Sequence, residues 1–211
     1  MSTLTEISEA LQKGRAKLIK TLIPQALEEG IPAKDILQDG LLAGMDVVGR
    51  RFKENEIFVP EVLVSARAMS VGAELLKPYL TEAGVESKGK VVIGTVKGDL
   101  HDIGKNLVRM MLEGKGLTVI DLGVDVSPEN FVQTAIDNDC NIICCSALLT
   151  TTMPVMGEVV AKVAEAGMRD KIRVMVGGAP VTETFAQSIH ADAYTSDATS
   201  CAEKAMELLA G

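Results

Sequence analysis

The second half of the chain repeats one pattern, in which a short apolar run is followed by a polar loop and a helical stretch. The apolar runs are VVIGTV (91–96), LTVIDLG (117–123), NIICCSALL (141–149), IRVMVGG (172–178) and the shorter ADAYTS (191–196). Short apolar strands that alternate with helices indicate a parallel sheet covered by helices on both faces. Five such strands predict an α/β domain of the doubly wound, Rossmann-type class, with the flavodoxin-like strand order.

This fold class also predicts where a ligand would bind. In open parallel sheets, ligands bind beyond the carboxyl ends of the strands, where the loops after the first and third strands diverge. The rule points to the loops after Val96 and after Ser146. A functional site is therefore expected at these two loops, before any motif is considered.

The first 80 or so residues follow a helical period instead, with few β-branched runs. The spacing predicts helices over residues 3–12, 15–29, about 32–52 and 60–79. Four amphipathic helices of this kind predict a four-helix bundle.

A polar, small-residue stretch, TEAGVESKGK, separates the two patterns. We therefore expect a helical-bundle domain over 1–82, a linker over 83–89 and the α/β domain over 90–211.

Charge and hydropathy exclude two classes of partner. The chain of 211 residues has a formal net charge of -8 and no Lys/Arg cluster, whereas a nucleic-acid binder needs a basic patch. No apolar run is long enough to span a bilayer, and the N-terminus lacks the apolar core of a signal peptide. The sequence predicts a cytoplasmic protein that binds neither nucleic acid nor membrane.

The four cysteines do not point to a zinc site. They are Cys140, Cys144, Cys145 and Cys201, and none has the CxxC spacing of structural zinc ligands. Buried, reduced thiols are expected.

One of only two histidines lies in the first predicted site loop. His101 follows Asp99 and precedes Asp102 in the segment KGDLHDIG. A histidine in this place can bind a metal through one ring nitrogen while the other donates to a carboxylate, which fixes the tautomer and strengthens the free nitrogen as a ligand.

Spacing alone leaves other interpretations of this loop open. Gly98 and Gly104 would suit a phosphate-binding loop, but the segment lacks the GxGxxG and GxxxxGK[ST] patterns and carries acidic residues. A receiver domain would require an aspartate after the third strand, where Ser146 stands instead. A lone structural histidine is the remaining alternative.

The residues of this loop, taken with two later motifs, resemble a known family. Residues 99–104 (DLHDIG) match the DxHxxG signature of cobalamin-binding domains in which a protein histidine replaces the nucleotide base on cobalt. Ser146-Ala147-Leu148 matches the SxL motif of the family and Gly177-Gly178 its GG motif. Residues 40–69 resemble the helical cap domain of cobalamin-dependent methionine synthase and of methanol, methylamine and betaine corrinoid proteins. The resemblance covers residues 10–211.

The resemblance implies a role for each matching residue. His101 would be the lower ligand to cobalt, and Asp99 would accept its other N–H. Thr152, at a position where methionine synthases carry serine, would complete a hydrogen-bonded relay of these three residues. The remaining residues implied to contact the cofactor from the loops after the first and third strands are Gly98, Leu100, Asp102, Ile103, Gly104 and Leu148.

Two further groups of cofactor contacts follow from the resemblance. Small residues would line a slot for the displaced nucleotide tail, namely Ser146, Thr150, Gly177, Gly178 and Ala198, although a strand-to-loop turn also favours glycine without any ligand. In the helical cap, Phe52 and Val59 would cover the upper face of the corrin, with packing inside the bundle as the alternative.

The resemblance implies a corrinoid methyl carrier that is catalytic only with partner proteins. Cobalamin or a related corrinoid would accept a methyl group as cob(I)alamin from a substrate methyltransferase. As methylcobalamin it would pass that group to a second methyltransferase acting on a thiol or tetrahydrofolate-type acceptor. A reductive activase is a further candidate partner. Movement of the cap would require a hinge, expected at residues 84–90.

Two other functions remain as alternatives. A cobalamin-dependent sensor uses a similar cap and domain, but it needs a DNA-binding module and normally a cap tryptophan, and this chain has no Trp. The small subunit of an adenosylcobalamin mutase resembles the second half but usually lacks a bundle with the FVPE segment (58–61).

Overall fold

The computed structural model describes residues 2–83 and 87–210. These residues form two compact units, 2–83 and 87–210. Residues 84–86 of the expected linker (83–89) and hinge (84–90) lie outside the described residues.

The first unit consists of helices, as the sequence predicts. Its elements are α1 (Thr3–Gln12), α2 (Ala16–Glu28), α3 (Ala33–Asp35), a π-helical segment (Ile36–Leu42), α4 (Ala43–Lys53) and α5 (Val59–Glu82). The third predicted helix is replaced by α3, the π-helical segment and α4, which follow one another without a break. The prediction of an N-terminal helical domain is confirmed.

The π-helical segment is the one departure from the predicted bundle. We expected a regular helix here, but Ile36–Leu42 has the wider π turn. Its Gly40 lies against α1, where an added Cβ would be 3.0 Å from Ile7 Cγ2. Close packing between helices therefore accompanies the π turn, a feature of tertiary structure that helical periodicity does not encode.

The second unit contains a five-stranded parallel sheet with the order β2-β1-β3-β4-β5. The strands are β1 (Lys90–Thr95), β2 (Thr118–Asp121), β3 (Ile142–Ser146), β4 (Arg173–Gly177) and β5 (Ala193–Tyr194). The helices are α6 (Ile103–Gly114), α7 (Pro128–Asp137), α8 (Pro154–Glu165), α9 (Glu183–Ser188) and α10 (Ala198–Ala210). The predicted fold class and strand order are confirmed.

The register of the three central strands aligns the two predicted site loops. Thr95 pairs with Ser146, and Ser146 pairs with Gly177, so β1, β3 and β4 end in one row. The loops that follow these strands therefore start at the same edge of the sheet, as expected for a doubly wound fold.

Core packing explains a glycine in the middle of β1. A Cβ on Gly94 would lie 2.8 Å from the ring of the fully buried Phe131 on α7. The absent side chain lets the aromatic ring pack directly on the strand. The four cysteines are free and buried in this unit, as predicted. Among the described residues, no helix has both the length and the apolar character needed to cross a bilayer.

Candidate functional site

The carboxylate of Asp99 is the centre of the candidate site. It lies in the loop between β1 and α6 and is fully buried. One oxygen, Oδ1, accepts from the backbone N–H of His101 at 3.1 Å and lies 2.7 Å from His101 Nδ1. The other, Oδ2, accepts from the N–H groups of Leu148 and Leu149, at 2.7 and 3.2 Å, and from the hydroxyl of Thr152 at 3.1 Å. The carboxylate thus joins the loops after β1 and β3.

These hydrogen bonds keep Asp99 ionised. Burial by itself raises the pKa of the carboxyl, but the N–H groups of Leu148 and His101, the imidazole and the Thr152 hydroxyl all favour the charged form. The net effect holds the pKa of Asp99 far below its usual range. A charged carboxylate at this position accepts the Nδ1 proton of His101, so the neutral imidazole is held as the Nδ1–H tautomer.

In this tautomer Nε2 is the ring nitrogen of His101 that could bind a metal. Its side chain is 53% exposed, although the aspartate behind it is buried. Leu100 and Ile103, on either side in the sequence, are 71% and 74% exposed. Exposed apolar side chains beside a polarised imidazole suit a large, partly apolar ligand that offers one open metal position.

Thr152 completes the group of side chains at Asp99. Its hydroxyl lies 3.1 Å from Asp99 Oδ2 and 2.9 Å from the carbonyl oxygen of Leu149. A hydroxyl has one proton, so these two acceptors share or compete for it. The structure thus brings together the three residues His101, Asp99 and Thr152.

Small residues lie at the ends of β3 and β4. At Gly178, with φ +134°, a Cβ would be only 1.9 Å from the carbonyl oxygen of Ala147, so only glycine fits. At Gly177 a Cβ would meet Thr195 O at 3.5 Å, which is ordinary contact distance. Close backbone approach therefore explains Gly178 alone, whereas the packing does not require glycine at position 177.

The other predicted residues occupy several environments. Gly98 has φ +84°, Asp102 accepts from Asn106 Nδ2 at 3.1 Å, and an added Cβ at Gly104 would meet nothing within 4 Å. Thr150 and Leu148 are exposed, Ser146 is half-buried, and Ala198 is buried at the start of α10.

Phe52 and Val59 belong to the first unit. They lie in the last turn of α4 and at the start of α5, and both are half-buried.

Two residues that were not predicted from the sequence form hydrogen bonds with the main chain of the histidine loop. Thr95, fully buried at the end of β1, donates its hydroxyl proton to the carbonyl oxygen of His101 at 2.8 Å. Asp125, in the loop after β2, accepts from Gly98 N–H at 2.7 Å through Oδ1. Neither has a sequence signal, because a threonine in a strand and an aspartate in a loop are both ordinary.

Comparison with known proteins assigns the family. Residues 89–204 match the model of the B12 binding domain, and residues 3–77 match a second B12 binding domain model. The chain belongs to the B12-binding family. It is 42% identical to a corrinoid protein of Desulfitobacterium hafniense (strain Y51), over 99% of this chain and 98% of that protein. It is also 42% identical to dimethylamine corrinoid protein 1 of Methanosarcina mazei, over 99% of this chain and 96% of that one.

A solved structure agrees with this assignment to the B12-binding family. The crystal structure of the methanol:cobalamin methyltransferase complex MtaBC from Methanosarcina barkeri contains a chain with 33% sequence identity and a TM-score of 0.89. The match covers 99% of this chain and 80% of that one.

The residues of this B12-binding chain fit a corrinoid. Among residues 2–83 and 87–210 there is no cluster of three or more His, Cys, Asp or Glu side chains that could hold a bare metal ion. A cobalt ion already held by a corrin ring would need no more than one protein ligand, and the Nε2 atom of His101 is a candidate for it. The exposed Leu100 and Ile103 provide apolar contact area beside that ligand.

Proposed function

We propose that the protein is a corrinoid methyl carrier in which His101 binds the cobalt of cobalamin through Nε2. The observation that carries this proposal is the 2.7 Å contact between His101 Nδ1 and the buried carboxylate of Asp99. It leaves Nε2 as the single free ring nitrogen at the ligand-binding edge of the sheet. When bound, the corrinoid supplies a cobalt centre that can accept and release a methyl group.

Each residue of the relay has its own task. Asp99 holds the Nδ1 proton of His101, which fixes the direction of Nε2 and makes it a stronger donor. Thr152 and the N–H groups of Leu148 and Leu149 stabilise the negative charge of Asp99. With a corrinoid bound over them, the exposed apolar side chains of Leu100, Ile103 and Leu148 would help to exclude water around the imidazole.

The nucleotide tail of the corrinoid is proposed to lie along the ends of β3 and β4. Gly177 supports this assignment, because its packing leaves room for a side chain that the sequence does not supply. Ser146, Thr150, Gly178 and Ala198 would complete the slot. Phe52 and Val59 of the helical unit stay candidates for contact with the upper face of the corrin, on the resemblance alone.

The partners follow from the relatives. Dimethylamine corrinoid proteins and the MtaBC complex belong to methylamine and methanol methyltransferase systems, and the MtaBC structure is a complex with a methyltransferase. We infer that this chain also binds a substrate methyltransferase, from which it takes the methyl group. A second methyltransferase would receive that group, and a reductive activase would restore the cofactor after oxidation.

The test is a spectroscopic identification of the cobalt ligand. The full chain, labelled with [¹⁵N]histidine, is loaded with hydroxocobalamin, freed of excess cofactor and reduced to the cobalt(II) state. The EPR spectrum should show nitrogen splitting that changes from a triplet to a doublet on labelling. This change assigns the bound nitrogen to a histidine of the protein and not to the nucleotide base.

The chain offers a matched control, because it contains only one other histidine. His101→Ala should lose the label-dependent splitting, whereas His190→Asn should keep it. His190 has φ +58°, a conformation that asparagine tolerates. Retention of the doublet in His101→Ala, or failure of the wild-type chain to retain any corrinoid, would overturn the proposal.

The tail slot has a separate test at Gly177. Gly177→Ala should leave folding intact, since the added Cβ meets only ordinary contact. It should weaken binding of cobalamin about tenfold but leave binding of cobinamide, which lacks the nucleotide tail, unchanged. Equal losses for the two corrinoids would place the effect outside the slot.

A further inference from the structure

The main chain of the histidine loop is fixed at His101 by a buried hydroxyl. Thr95 Oγ1 donates to the carbonyl oxygen of His101 at 2.8 Å. The backbone N–H of the same residue donates to Asp99 Oδ1 at 3.1 Å. Both backbone polar groups of His101 are therefore bonded, and Thr95 is fully buried, so its hydroxyl has no access to bulk water.

Besides this first anchor at Thr95, Asp125 forms a second anchor, at the two residues Gly98 and Asp99 that lie three and two positions before His101. Asp125 Oδ1 accepts from Gly98 N–H at 2.7 Å, and the backbone N–H of Asp125 donates to the carbonyl oxygen of Asp99 at 3.0 Å. Gly98 and Asp125 have φ values of +84° and +55°, so both stand in the left-handed region. Two hydrogen bonds thus join the loop after β2 to the segment that carries Asp99.

These anchors affect the position of the imidazole because Asp99 and His101 are joined by only a short stretch of main chain. Asp99 and His101 are two residues apart, and their side chains can meet at 2.7 Å only for a narrow range of main-chain conformations between them. The hydrogen bonds of Thr95 and Asp125 to this loop are made with its main chain. These hydrogen bonds restrict the conformation of the loop, and the conformation of the loop sets the direction of the His101 ring.

We propose that Thr95 and Asp125 are positioning residues for His101, holding the loop in the one conformation that keeps the Nδ1–H tautomer and directs Nε2 outwards. This inference rests on the proposed role of His101 as cobalt ligand. The tautomer can nevertheless be measured without any corrinoid.

The test compares two matched pairs of variants. Thr95→Val removes the hydroxyl at nearly constant shape, while Thr95→Ser keeps it. Asp125→Gly removes the acceptor and tolerates the left-handed backbone, while Asp125→Asn keeps an acceptor and also tolerates it. In each pair, the second variant controls for effects unrelated to the hydrogen bond.

The first readout is the tautomer of His101 in the corrinoid-free full chain. [¹⁵N]Histidine spectra are recorded at a pH where both imidazoles are neutral, and His190→Asn assigns the two rings. The Nδ1–H form should predominate in the wild type and in the Ser and Asn variants. It should become a minor form in Thr95→Val and decrease in Asp125→Gly.

The second readout is cobalamin binding. Thr95→Val and Asp125→Gly should each weaken it about tenfold, the scale of one lost hydrogen bond. An unchanged tautomer in Thr95→Val and Asp125→Gly would overturn the proposal, even if melting temperatures fell. Equal tautomer loss within each pair would also overturn it. The tautomer could respond as expected while His101→Ala keeps the cobalt(II) doublet. That result would support the positioning roles of Thr95 and Asp125 and refute the assignment of His101 as cobalt ligand.

Discussion

Asp121 and Asp99 lie at the same edge of the sheet, but different kinds of donor stabilise their carboxylates. Asp121 ends β2 and accepts from Lys105 Nζ at 2.6 and 2.7 Å, with Arg109 3.6 Å away. Asp99 follows the neighbouring β1 and is held by backbone N–H groups, a hydroxyl and an imidazole. The first carboxylate has permanent cations beside it, whereas the second is bonded to neutral donors and to one titratable ring.

This difference matches two different tasks. Burial raises the pKa of Asp121, but the hydrogen bond from Lys105, the N–H of Gly123 and both cations lower it, and the net effect is a lowered pKa. Such a pair fixes α6 against β2. The donors to Asp99 are backbone N–H groups, a hydroxyl and the imidazole, with no lysine or arginine among them. Its negative charge therefore acts on the imidazole, and would act through the ring on a metal bound to Nε2.

The largest effect is expected from breaking the structural pair. Lys105→Met removes the buried, closest cation from the half-buried carboxylate of Asp121 and should lower the free energy of unfolding by about 3 kcal/mol. The tautomer of His101 should not change, because Lys105 is not bonded to the relay. Urea denaturation, together with the [¹⁵N]histidine spectrum, measures both quantities.

The double variant Lys105→Met/Asp121→Asn checks the cause of that loss. Removing both charges should restore at least half of the lost stability, because the uncompensated carboxylate is then gone. A double variant no more stable than Lys105→Met would mean that the packing of methionine, and not the stranded charge, destabilises the protein.

The sequence predicts more of the sheet than of the loop geometry. Apolar runs and helical spacing were enough for the strand order, and the cofactor was predicted from the family resemblance of three motifs, DLHDIG, Ser146-Ala147-Leu148 and Gly177-Gly178. The π turn at Ile36–Leu42 depends on contact with α1, which periodicity does not contain. Thr95 resembles any β-branched strand residue, and the left-handed backbone of Asp125 leaves no mark in the sequence. Side chains that act through the main chain are thus the part that sequence patterns miss.

The next effect comes from the site carboxylate and depends on pH. Asp99→Asn should lower the free energy of unfolding by about 2 kcal/mol near neutral pH. The folded pKa of Asp99 is lowered, so its stabilisation is fully present above the unfolded value of about 3.9 and is lost as pH falls from there toward the folded value. The difference between wild type and variant should therefore shrink below about pH 4.

Urea denaturation of wild type and Asp99→Asn from pH 3 to pH 7 gives this difference directly, since other titrating groups are common to both chains. A difference that stays constant over the range would show that the lost hydrogen-bond geometry, and not the charge of Asp99, carries the stabilisation. Asp99→Asn should also lose the Nδ1–H preference of His101, which Lys105→Met should keep. Both variants should therefore lose stability, but only Asp99→Asn should lose the tautomer.

The smallest effect is expected at Thr152. Thr152→Val keeps the shape of the side chain but removes the hydroxyl 3.1 Å from Asp99 Oδ2, and should lower the free energy of unfolding by about 1 kcal/mol. Thr152→Ser keeps the hydroxyl and should remain closer to wild type. Because the Thr152 proton is shared between Asp99 and the carbonyl of Leu149, its loss removes only one of several neutral donors from the carboxylate. A loss in Thr152→Val as large as that of Asp99→Asn would contradict this distribution and make the hydroxyl the dominant donor.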